Sequence, residues 1–475
     1  MVIVGGGVTG CSIAYHLAHL GWTDVVLLEQ HRLTAGTTWH AAGLITSAGM
    51  TDETALFFSR YSRDLYARLE AETGHSTGFR PVGHLSLATN RERQDALRRE
   101  AAWMHGFGVE DTEISASELA AMWPLAGTDD VLSAFYVADE GRADPVGVAT
   151  SLAKGARQLG VVVIEGVAAT GVLTRGRRVS AVLTEAGPIE TEVVVNAAGM
   201  WARQFGALAG VAVPLQAAEH YYLLTDTVPG MDADLPVIED PGSYGYYRPE
   251  GDGMLVGLFE PVAAPWSLDG VARGFSFGKL PPDWERMEPF LGPAMNRIPS
   301  LADIGVRTFF CGPESFTSDV RPLLGPAPEL DGYFVAAGLN SLGILSGGGV
   351  GAMVAHWIVD GCRRSTRPRW PSTGPRPTRP PAGSGPSARS SSSGCCSATR
   401  SGRPGSRRPR ATCAGRCCTT GSPRRAPTSA SRPAGSTPNG SPRRARSPGP
   451  AWTTGAPPHT RSSGASTRRS ARRWA

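Results

Sequence analysis

The sequence predicts an α/β protein that begins with a Rossmann-like nucleotide-binding domain, and three neighbouring segments support this prediction. Residues 2–4 form a short apolar run that enters the glycine turn Gly5-Gly6-Gly7. Residues 11–20 have the apolar spacing of a helix. Residues 25–28 form a second apolar run that ends at Glu29. A strand, a glycine turn, a helix and a strand that ends in an acid are the unit that binds dinucleotides.

The glycines and the acid of this unit have separate predicted roles. Gly5 allows the tight passage from strand to helix, Gly7 lets backbone amides approach a pyrophosphate, and Gly10 lets the helix pack closely on the sheet. The helix N-terminus adds partial positive charge. Glu29 is in position to accept hydrogen bonds from a ribose diol. Because both strands and the helix flank the turn, the pattern favours nucleotide binding over a purely structural glycine turn.

The composition of the chain changes near Gly361. Residues 1–361 contain 23 of the 47 Lys and Arg and all 42 Asp and Glu, which gives this part a formal charge of −19. Residues 362–475 contain 24 Arg, no acidic residue, and no Leu, Ile, Val, Met, Phe or Tyr. Folding has to offset a backbone entropy cost of about 1 to 2 kcal/mol per residue, and this segment has little apolar surface to bury. We therefore predict an acidic globular body followed by a disordered, low-complexity tail.

The Arg-rich tail also contains six of the eight cysteines, at positions 362, 395, 396, 413, 417 and 418. Their adjacent pairs differ from the separated pairs of a zinc site, so we expect no metal. The remaining two, Cys11 and Cys311, are predicted to be small buried residues. An arm that binds nucleic acid is the alternative interpretation of so many Arg residues. The absence of Lys, Phe and Tyr from this segment disfavours that alternative, and we expect no nucleic acid partner.

A second glycine-rich segment follows Glu29 and contains Gly36, Thr37, Thr38, Trp39, His40, Gly43 and Leu44. With this segment the chain resembles the flavin-dependent amine oxidoreductases, the family that includes D-amino-acid oxidase, and within it the dimethylglycine and sarcosine dehydrogenase branch. The resemblance covers nearly all of residues 1–361. In that branch the histidine of the matching G-[ST]-T-W-H-x-x-G-L motif is bonded to the 8α carbon of FAD. The resemblance therefore implies covalent FAD through His40, and the alternative is a histidine that only forms a hydrogen bond in the loop.

The resemblance also implies an interleaved domain organisation. The FAD-binding domain would be assembled from residues about 1–80, 140–215 and 310–361. Residues about 80–140 and 215–310 would form an α+β substrate domain with an antiparallel sheet over the flavin.

Further segments complete the predicted cofactor site. Apolar runs at residues 161–164 and 193–196 predict buried strands, and the second leads into small residues. A third run, at residues 333–337, enters a glycine-rich turn and a helix whose N-terminus would face the flavin and favour the negative charge of its reduced form. The predicted cofactor-binding residues are Gly5, Gly7, Gly10, Glu29, Gly36, Thr37, Thr38, His40, Gly43, Leu44, Ala198, Gly199, Trp201, Gly338, Gly343 and Ile344.

The catalytic residues implied by the resemblance are His220 and Tyr246. In relatives that oxidise N-methylglycines, a histidine and a tyrosine at these places line the site over the flavin. An ammonium ion cannot release a hydride until its nitrogen lone pair is free. A polar pair that favours the neutral amine and orients its methyl group toward flavin N5 is therefore sufficient. The alternative is that both residues belong to the core, as such residues in strands commonly do.

The sequence lacks the usual arginine that would bind a substrate carboxylate. Simple D-amino-acid and glycine oxidases have an arginine just upstream of the segment at residues 316–325, where this chain has Glu314-Ser315. This departure disfavours oxidation of primary amino acids with an arginine clamp and fits the methylglycine branch. Arg248 and Arg321 are candidates, and each is equally a candidate for a structural ion pair.

The sequence therefore predicts FAD-dependent oxidative demethylation of dimethylglycine or sarcosine by hydride transfer to flavin N5, which leaves an iminium. The electron acceptor is open between dioxygen and an electron-transfer flavoprotein. The alternatives are another FAD amine or amino-acid oxidase, a glycerol-phosphate-type dehydrogenase, or an inactive FAD-binding fragment. The expected partner is a small methylated amine, and we expect no association with a membrane. Because the first strand starts at Met1 with no leader before it, we expect a cytoplasmic protein.

Residues from about Cys362 onward are predicted to be read out of frame. Translation of a G+C-rich gene in the wrong frame yields the observed predominance of Arg, Ser, Pro, Gly, Ala, Thr and Cys. Residues 427–441 can be back-translated so that the neighbouring frame encodes YFGVSAGWEYPEWF. That string resembles a passage that follows the flavin domain in the dimethylglycine branch. In the family the domain beyond this point passes the one-carbon unit to tetrahydrofolate, so tetrahydrofolate is expected only if that domain is present.

Resequencing of the gene tests this interpretation. We expect a frame-restoring base change near codon 361. A coding sequence that specifies the Arg-rich tail without such a change would contradict it.

Overall fold

The structure, a computed structural model, describes residues 1–360. Within this range the helices are α1 (Val8–His19), α2 (Glu53–Thr73), α3 (Arg91–His105), α4 (Ala116–Met122), α5 (Pro145–Gln158), α6 (Ala202–Leu208), α7 (Trp284–Arg297) and α8 (Gly343–Val359). The strands are β1 (Val2–Val4), β2 (Val26–Glu29), β3 (Leu44–Ile45), β4 (His84–Ala88), β5 (Thr112–Ile114), β6 (Ser133–Val137), β7 (Gly141–Arg142), β8 (Val162–Glu165), β9 (Ala169–Arg175), β10 (Arg178–Thr184), β11 (Gly187–Glu190), β12 (Val194–Asn196), β13 (Leu215–Thr225), β14 (Val237–Asp240), β15 (Gly245–Glu250), β16 (Gly253–Leu258), β17 (Val306–Thr317), β18 (Leu323–Pro326) and β19 (Tyr333–Ala337).

A six-stranded sheet is formed by strands from three separate parts of the chain, in the order β18-β19-β12-β1-β2-β8. All neighbours are parallel except β18, which runs antiparallel to β19. Ile3 and Leu27 share a core with helices α1, α2, α5 and α8, whereas Val2 and Leu28 share a core with α6, β10 and β19 on the other face. Both faces are therefore covered, and the predicted α/β fold with a parallel sheet is confirmed.

The turn after β1 depends on close approaches of the backbone. Gly5 has a φ of +117°, and a Cβ atom at this position would overlap the carbonyl oxygen of Ala197. A Cβ atom at Gly10 would overlap the carbonyl oxygen of Gly5. Helix α1 begins at Val8, three residues before the predicted start, because Gly7 is its N-cap. Only glycine fits at both Gly5 and Gly10, so the helix can pack directly on the turn.

An eight-stranded sheet has the order β17-β13-β16-β15-β14-β4-β6-β5. Its neighbours are antiparallel except β14 and β4, which are parallel. The antiparallel sheet that the resemblance implies is thus confirmed, with one parallel pair in its middle. The division of the body into FAD-binding and substrate stretches stays a prediction.

One row of residues crosses six strands of this sheet. Residues directly opposite each other in neighbouring strands point to the same face. The strand pairings place six residues side by side, one from each strand: Phe310, Tyr222, Gly257, Tyr246, Glu239 and Ser86. A Cβ atom at Gly257 would overlap the ring of Tyr246, so this glycine leaves the space that the ring occupies. We call these six residues the cross-sheet row.

The other predictions on the chain as a whole have different outcomes. Cys11 and Cys311 are buried and free, as predicted. No helix within residues 1–360 is both long and apolar enough to cross a bilayer. The predicted disorder and reading-frame error concern residues 362–475, which lie outside the described residues.

A buried charge cluster fixes the end of β14. Arg297, at the end of α7, is 3% exposed, and its Nε atom lies 3.0 Å from an oxygen of the equally buried Asp240. The same guanidinium lies 3.0 Å from Asp130. Asp240 follows Glu239 in β14 and pairs with the residue that precedes Tyr246. The cluster therefore holds the two strands that supply two of the six residues of the cross-sheet row.

We expect Arg297→Met to lower the free energy of unfolding by about 3 to 5 kcal/mol, because Asp240 would remain buried without its partner. Denaturant unfolding followed by circular dichroism measures this change. The control is Arg307→Met, which breaks an exposed pair with Asp252 and should cost less than about 1 kcal/mol. Equal effects of the two variants would show that burial does not strengthen the Arg297 cluster.

Candidate functional site

A cavity of about 320 Å³ lies over the glycine turn, and we call it the glycine-turn cavity. It is bounded by the end of β1, the end of β2, the loop after β2, the end of β12 and the start of α8. The predicted residues that line it are Gly5, Gly7, Glu29, Gly36, Thr37, Thr38, Ala198, Gly199, Trp201, Gly338 and Gly343. Gly10 does not line the cavity, since it packs beneath the turn against Gly5.

Glu29 is held at the edge of this cavity by the backbone. One carboxylate oxygen accepts a hydrogen bond from the Gly6 N–H at 2.7 Å, and the other accepts one from the His31 N–H at 2.9 Å. Burial raises the pKa of Glu29, and the two backbone N–H groups oppose that rise. Each carboxylate oxygen has a second lone pair, so the group can still accept hydrogen bonds from a diol.

Two helices begin at the cavities without a capping bond from their own N-cap residues, and at the start of α1 the Val8 N–H donates to the Thr38 hydroxyl at 3.1 Å. The N-cap residues are Gly7 for α1 and Leu342 for α8, neither makes a side-chain capping bond, and neither helix has an acidic residue in its first turn. The turn before α8 contains Asn340 and Ser341, both with positive φ. An uncapped N-terminus presents backbone N–H groups and partial positive charge to an anion. The site therefore suits a ligand with negative charge near both helix ends.

A second cavity, of about 360 Å³, lies against the cross-sheet row, and we call it the sheet cavity. Its predicted lining residues are His40, Gly43, Leu44, His220, Tyr246 and Ile344. A small third cavity shares Thr37 and Thr38 with the glycine-turn cavity, and Ala41, Glu314 and Ile344 with the sheet cavity. The three cavities therefore lie side by side.

His40 is 5% exposed and ends a short 3-10 turn, Thr38–His40. Burial lowers its pKa to about 4, so the imidazole is neutral near pH 7. Its Nε2 atom is buried and makes no hydrogen bond with the described part of the chain. A Cβ atom at Gly312 would lie 2.9 Å from His40 Cε1, so this glycine gives the ring its place. The neutral ring with a free nitrogen has the chemical character of a nucleophile.

His220 has the opposite electrostatic environment. Its Nδ1 atom lies 3.2 Å from an oxygen of Glu260. Burial alone would lower the pKa of His220, but the carboxylates of Glu260 and Glu314 raise it above its ordinary value. Strand pairing places His220 opposite Gly312, the glycine that contacts His40. The two imidazoles therefore share the cavity in different protonation environments.

Tyr246 is 2% exposed, and burial raises its pKa. Its ring centroid lies 5.0 Å from that of Phe259. Tyr222, two residues after His220 in β13, stacks on Phe310 with centroids 4.8 Å apart. These four rings form an apolar wall around the polar groups of His220 and Tyr246.

Neither of the two arginines considered for a substrate carboxylate lines the sheet cavity. The Nε atom of Arg248 donates to the carbonyl oxygen of Ala42 at 2.7 Å, and its guanidinium pairs with Glu250. Arg321 is exposed and pairs with Asp52. Both have the structural role that was the alternative. Arg93, which the sequence did not single out, does line the cavity.

Several other lining residues also escaped the sequence analysis. Glu314 was noted only as a departure from an arginine, yet it lines two cavities. Tyr222 could have been found, because alternate residues of a strand face the same side and His220 was already predicted. Glu239 lines the sheet cavity from β14, whereas Glu260 does not line it and contacts His220 from a loop. No local pattern marks either residue.

Comparison with known proteins identifies relatives of this chain. The human mitochondrial sarcosine dehydrogenase is 41% identical over 366 residues, which cover 76% of this chain and 40% of that protein. The 4-methylaminobutanoate oxidase (formaldehyde-forming) of Paenarthrobacter nicotinovorans is 39% identical over 361 residues, and the rat mitochondrial dimethylglycine dehydrogenase is 37% identical over 371. The chain spans about two fifths of the length of these relatives.

Solved structures share the fold over the whole body. The L-proline dehydrogenase of P. horikoshii matches with a TM-score of 0.69 at 25% identity, over 77% of this chain and 94% of that chain. The glycine oxidase of Geobacillus kaustophilus matches with a TM-score of 0.64 at 23% identity, over 77% and 95%. The model of the FAD dependent oxidoreductase family, DAO, matches residues 1–357. The chain, with its glycine turn, acid-terminated β2 and paired cavities, belongs to that family and is a flavoprotein oxidoreductase.

Proposed function

We propose that this chain oxidises the N-methyl group of sarcosine or dimethylglycine with FAD. One observation carries the proposal: the sheet cavity brings His40, His220 and Tyr246 together beside the glycine-turn cavity. Similarity to the sarcosine dehydrogenase, the dimethylglycine dehydrogenase and the 4-methylaminobutanoate oxidase supports an N-methyl amine as the substrate. Because the chain spans only part of those proteins, we do not assign their full activities to it.

The residues present fit FAD. Glu29 would hold the ribose, the uncapped N-terminus of α1 the pyrophosphate, and the start of α8 the ring system. The free Nε2 atom of His40 would be the point of covalent attachment of the 8α carbon. Bound FAD would supply an acceptor, at N5, for a hydride from the N-methyl carbon, which leaves a substrate iminium that water hydrolyses to formaldehyde.

His220 and Tyr246 would prepare the amine for this reaction. The substrate arrives as an ammonium ion, and its proton has to leave before the lone pair can assist hydride release. A neutral His220 can accept that proton, and Glu260 then stabilises the imidazolium that forms. Tyr246 can orient the amine with its hydroxyl group. Phe259 and Phe310 exclude water from the methyl group.

The wider context of the reaction stays a proposal. Dioxygen and an electron-transfer flavoprotein are both compatible electron acceptors. Tetrahydrofolate enters only if a further domain is present, and without it the product is free formaldehyde. The cytoplasmic location expected from the sequence stays a prediction.

If His40 carries the flavin, the denatured protein should stay yellow, and the flavin should remain with a peptide that contains residues 37–43. His40→Ala should lose covalent flavin but still bind FAD, because the glycine turn and Glu29 are unchanged. Absorbance after acid precipitation and mass spectrometry of peptides measure both results. The control is His220→Phe, which removes the other imidazole and should keep the bond. Release of free FAD from the wild type by acid would end this proposal.

Anaerobic mixing with sarcosine, dimethylglycine and 4-methylaminobutanoate tests the substrate and the catalytic pair together. We expect sarcosine or dimethylglycine to reduce the flavin. We expect His220→Phe and Tyr246→Phe each to slow that step by about 10- to 10⁴-fold without loss of flavin. Stopped-flow absorbance measures the rate. The control is Tyr247→Phe, a neighbouring buried tyrosine on the opposite face of β15.

The pH profile separates a catalytic from a structural role of His220. Removal of the Glu260 charge lowers the pKa of His220, because that charge favours the imidazolium. Glu260→Gln should therefore extend the active form of the enzyme to lower pH. If the rate of flavin reduction is unchanged in both His220→Phe and Tyr246→Phe, and Glu260→Gln does not shift the pH profile, both residues have only a structural role.

A further inference from the structure

Glu314 is a buried glutamate with one carboxylate oxygen that has no hydrogen-bond partner within residues 1–360. It is 8% exposed, and its Oε2 atom makes no hydrogen bond with any residue of 1–360. It lines both the sheet cavity and the small cavity beside it. A buried polar group without a partner is costly, so an unpaired carboxylate at a cavity wall indicates a ligand group that pairs with it.

Strand pairing directs Glu314 into the cavity. It lies in β17 opposite Ala218, and two residues from Gly312, which is opposite His220. Alternate residues of paired strands share a face, so Glu314 is on the face of His220 and Tyr222. Ala218 and Gly312 are both small and leave the carboxylate uncovered.

The neighbouring cations do not neutralise this carboxylate. His40 is kept neutral by burial, even though Glu314 favours its charged form. His220 lies 3.2 Å from Glu260, which is its nearest carboxylate partner. No Lys or Arg of residues 1–360 forms an ion pair with Glu314. The negative charge is therefore available to the substrate.

We propose that Glu314 accepts a hydrogen bond from the N–H of the substrate amine and thereby selects secondary over tertiary N-methyl amines. This inference rests on the proposed function and narrows its substrate class. A neutral secondary amine keeps one N–H after the ammonium proton has left, whereas a neutral tertiary amine keeps none. The secondary iminium also keeps its N–H, and the positive charge that develops on nitrogen strengthens the bond during hydride release. A tertiary amine would leave Glu314 buried and unpaired.

The test compares sarcosine with dimethylglycine in the full-length holoenzyme. The measured quantity is the ratio of their specificity constants for anaerobic flavin reduction. Glu314→Leu should lower the preference for sarcosine by about 10- to 100-fold, the value of a hydrogen bond to a charged group. Glu314→Gln keeps an acceptor without the charge and should lower it by only about 3- to 10-fold. Glu219→Gln is the matched control, because Glu219 lies one residue from Ala218 on the opposite face and pairs with Tyr221; it should leave the ratio within about twofold.

A second readout does not depend on turnover. Calorimetric titration of the enzyme after chemical reduction of its flavin gives the dissociation constants of both amines, and Glu314→Leu should weaken binding of sarcosine more than that of dimethylglycine. If the leucine variant loses its flavin, the smaller change in the ratio of specificity constants of the glutamine variant serves as the test of the role of Glu314. An unchanged ratio in the glutamine and leucine variants, while the wild type is reduced by either amine, would overturn the role of Glu314 and leave the proposed function intact. If neither amine reduces the wild type, both are overturned.

Discussion

The pairing register of β13 with β17 is the constraint on which the sheet cavity depends. It places His220 opposite Gly312, with Glu314 two residues further along the same face. The opposite face carries Tyr221 and Cys311, which lie in an apolar core. A slip of one residue would turn every one of these side chains to the wrong face. The apolar alternation that builds the core therefore also fixes which polar groups reach the cavity.

Local patterns predicted the parts of the site that lie close together in the sequence. The glycine turn, Glu29 and the segment around His40 each lie within one short stretch of sequence, so their spacing was informative. Glu260, Glu314 and Arg93 lie near His220 or the sheet cavity only because strands and loops that are distant in the sequence come together. No periodicity marks such residues, because their role arises from strand pairing and loop placement. The sequence left both roles of the arginine candidates open for the same reason: Arg248 has the right residue type, but its guanidinium donates to the carbonyl oxygen of Ala42 and pairs with Glu250.

Two histidines in one cavity differ because their carboxylate neighbours differ. The pKa of His40 is lowered by burial, and the single favourable carboxylate, Glu314, does not offset this effect. The pKa of His220 is raised because Glu260 adds to Glu314. Environments that move two titratable groups in opposite directions divide the chemistry between them. One ring is suited to bond formation and the other to holding a proton.

The starts of α1 and α8, which have no cap from their own N-cap residues, also link the stability of the folded protein to the supply of its cofactor. Before any covalent bond forms, a dinucleotide that places negative charge at these helix ends binds the folded chain and not the unfolded one, so it adds stability that grows with the logarithm of its free concentration. A cell with little riboflavin would therefore contain less of the folded protein, and chaperones and proteases would remove the remainder. The abundance of the enzyme would then follow vitamin supply without any change in transcription.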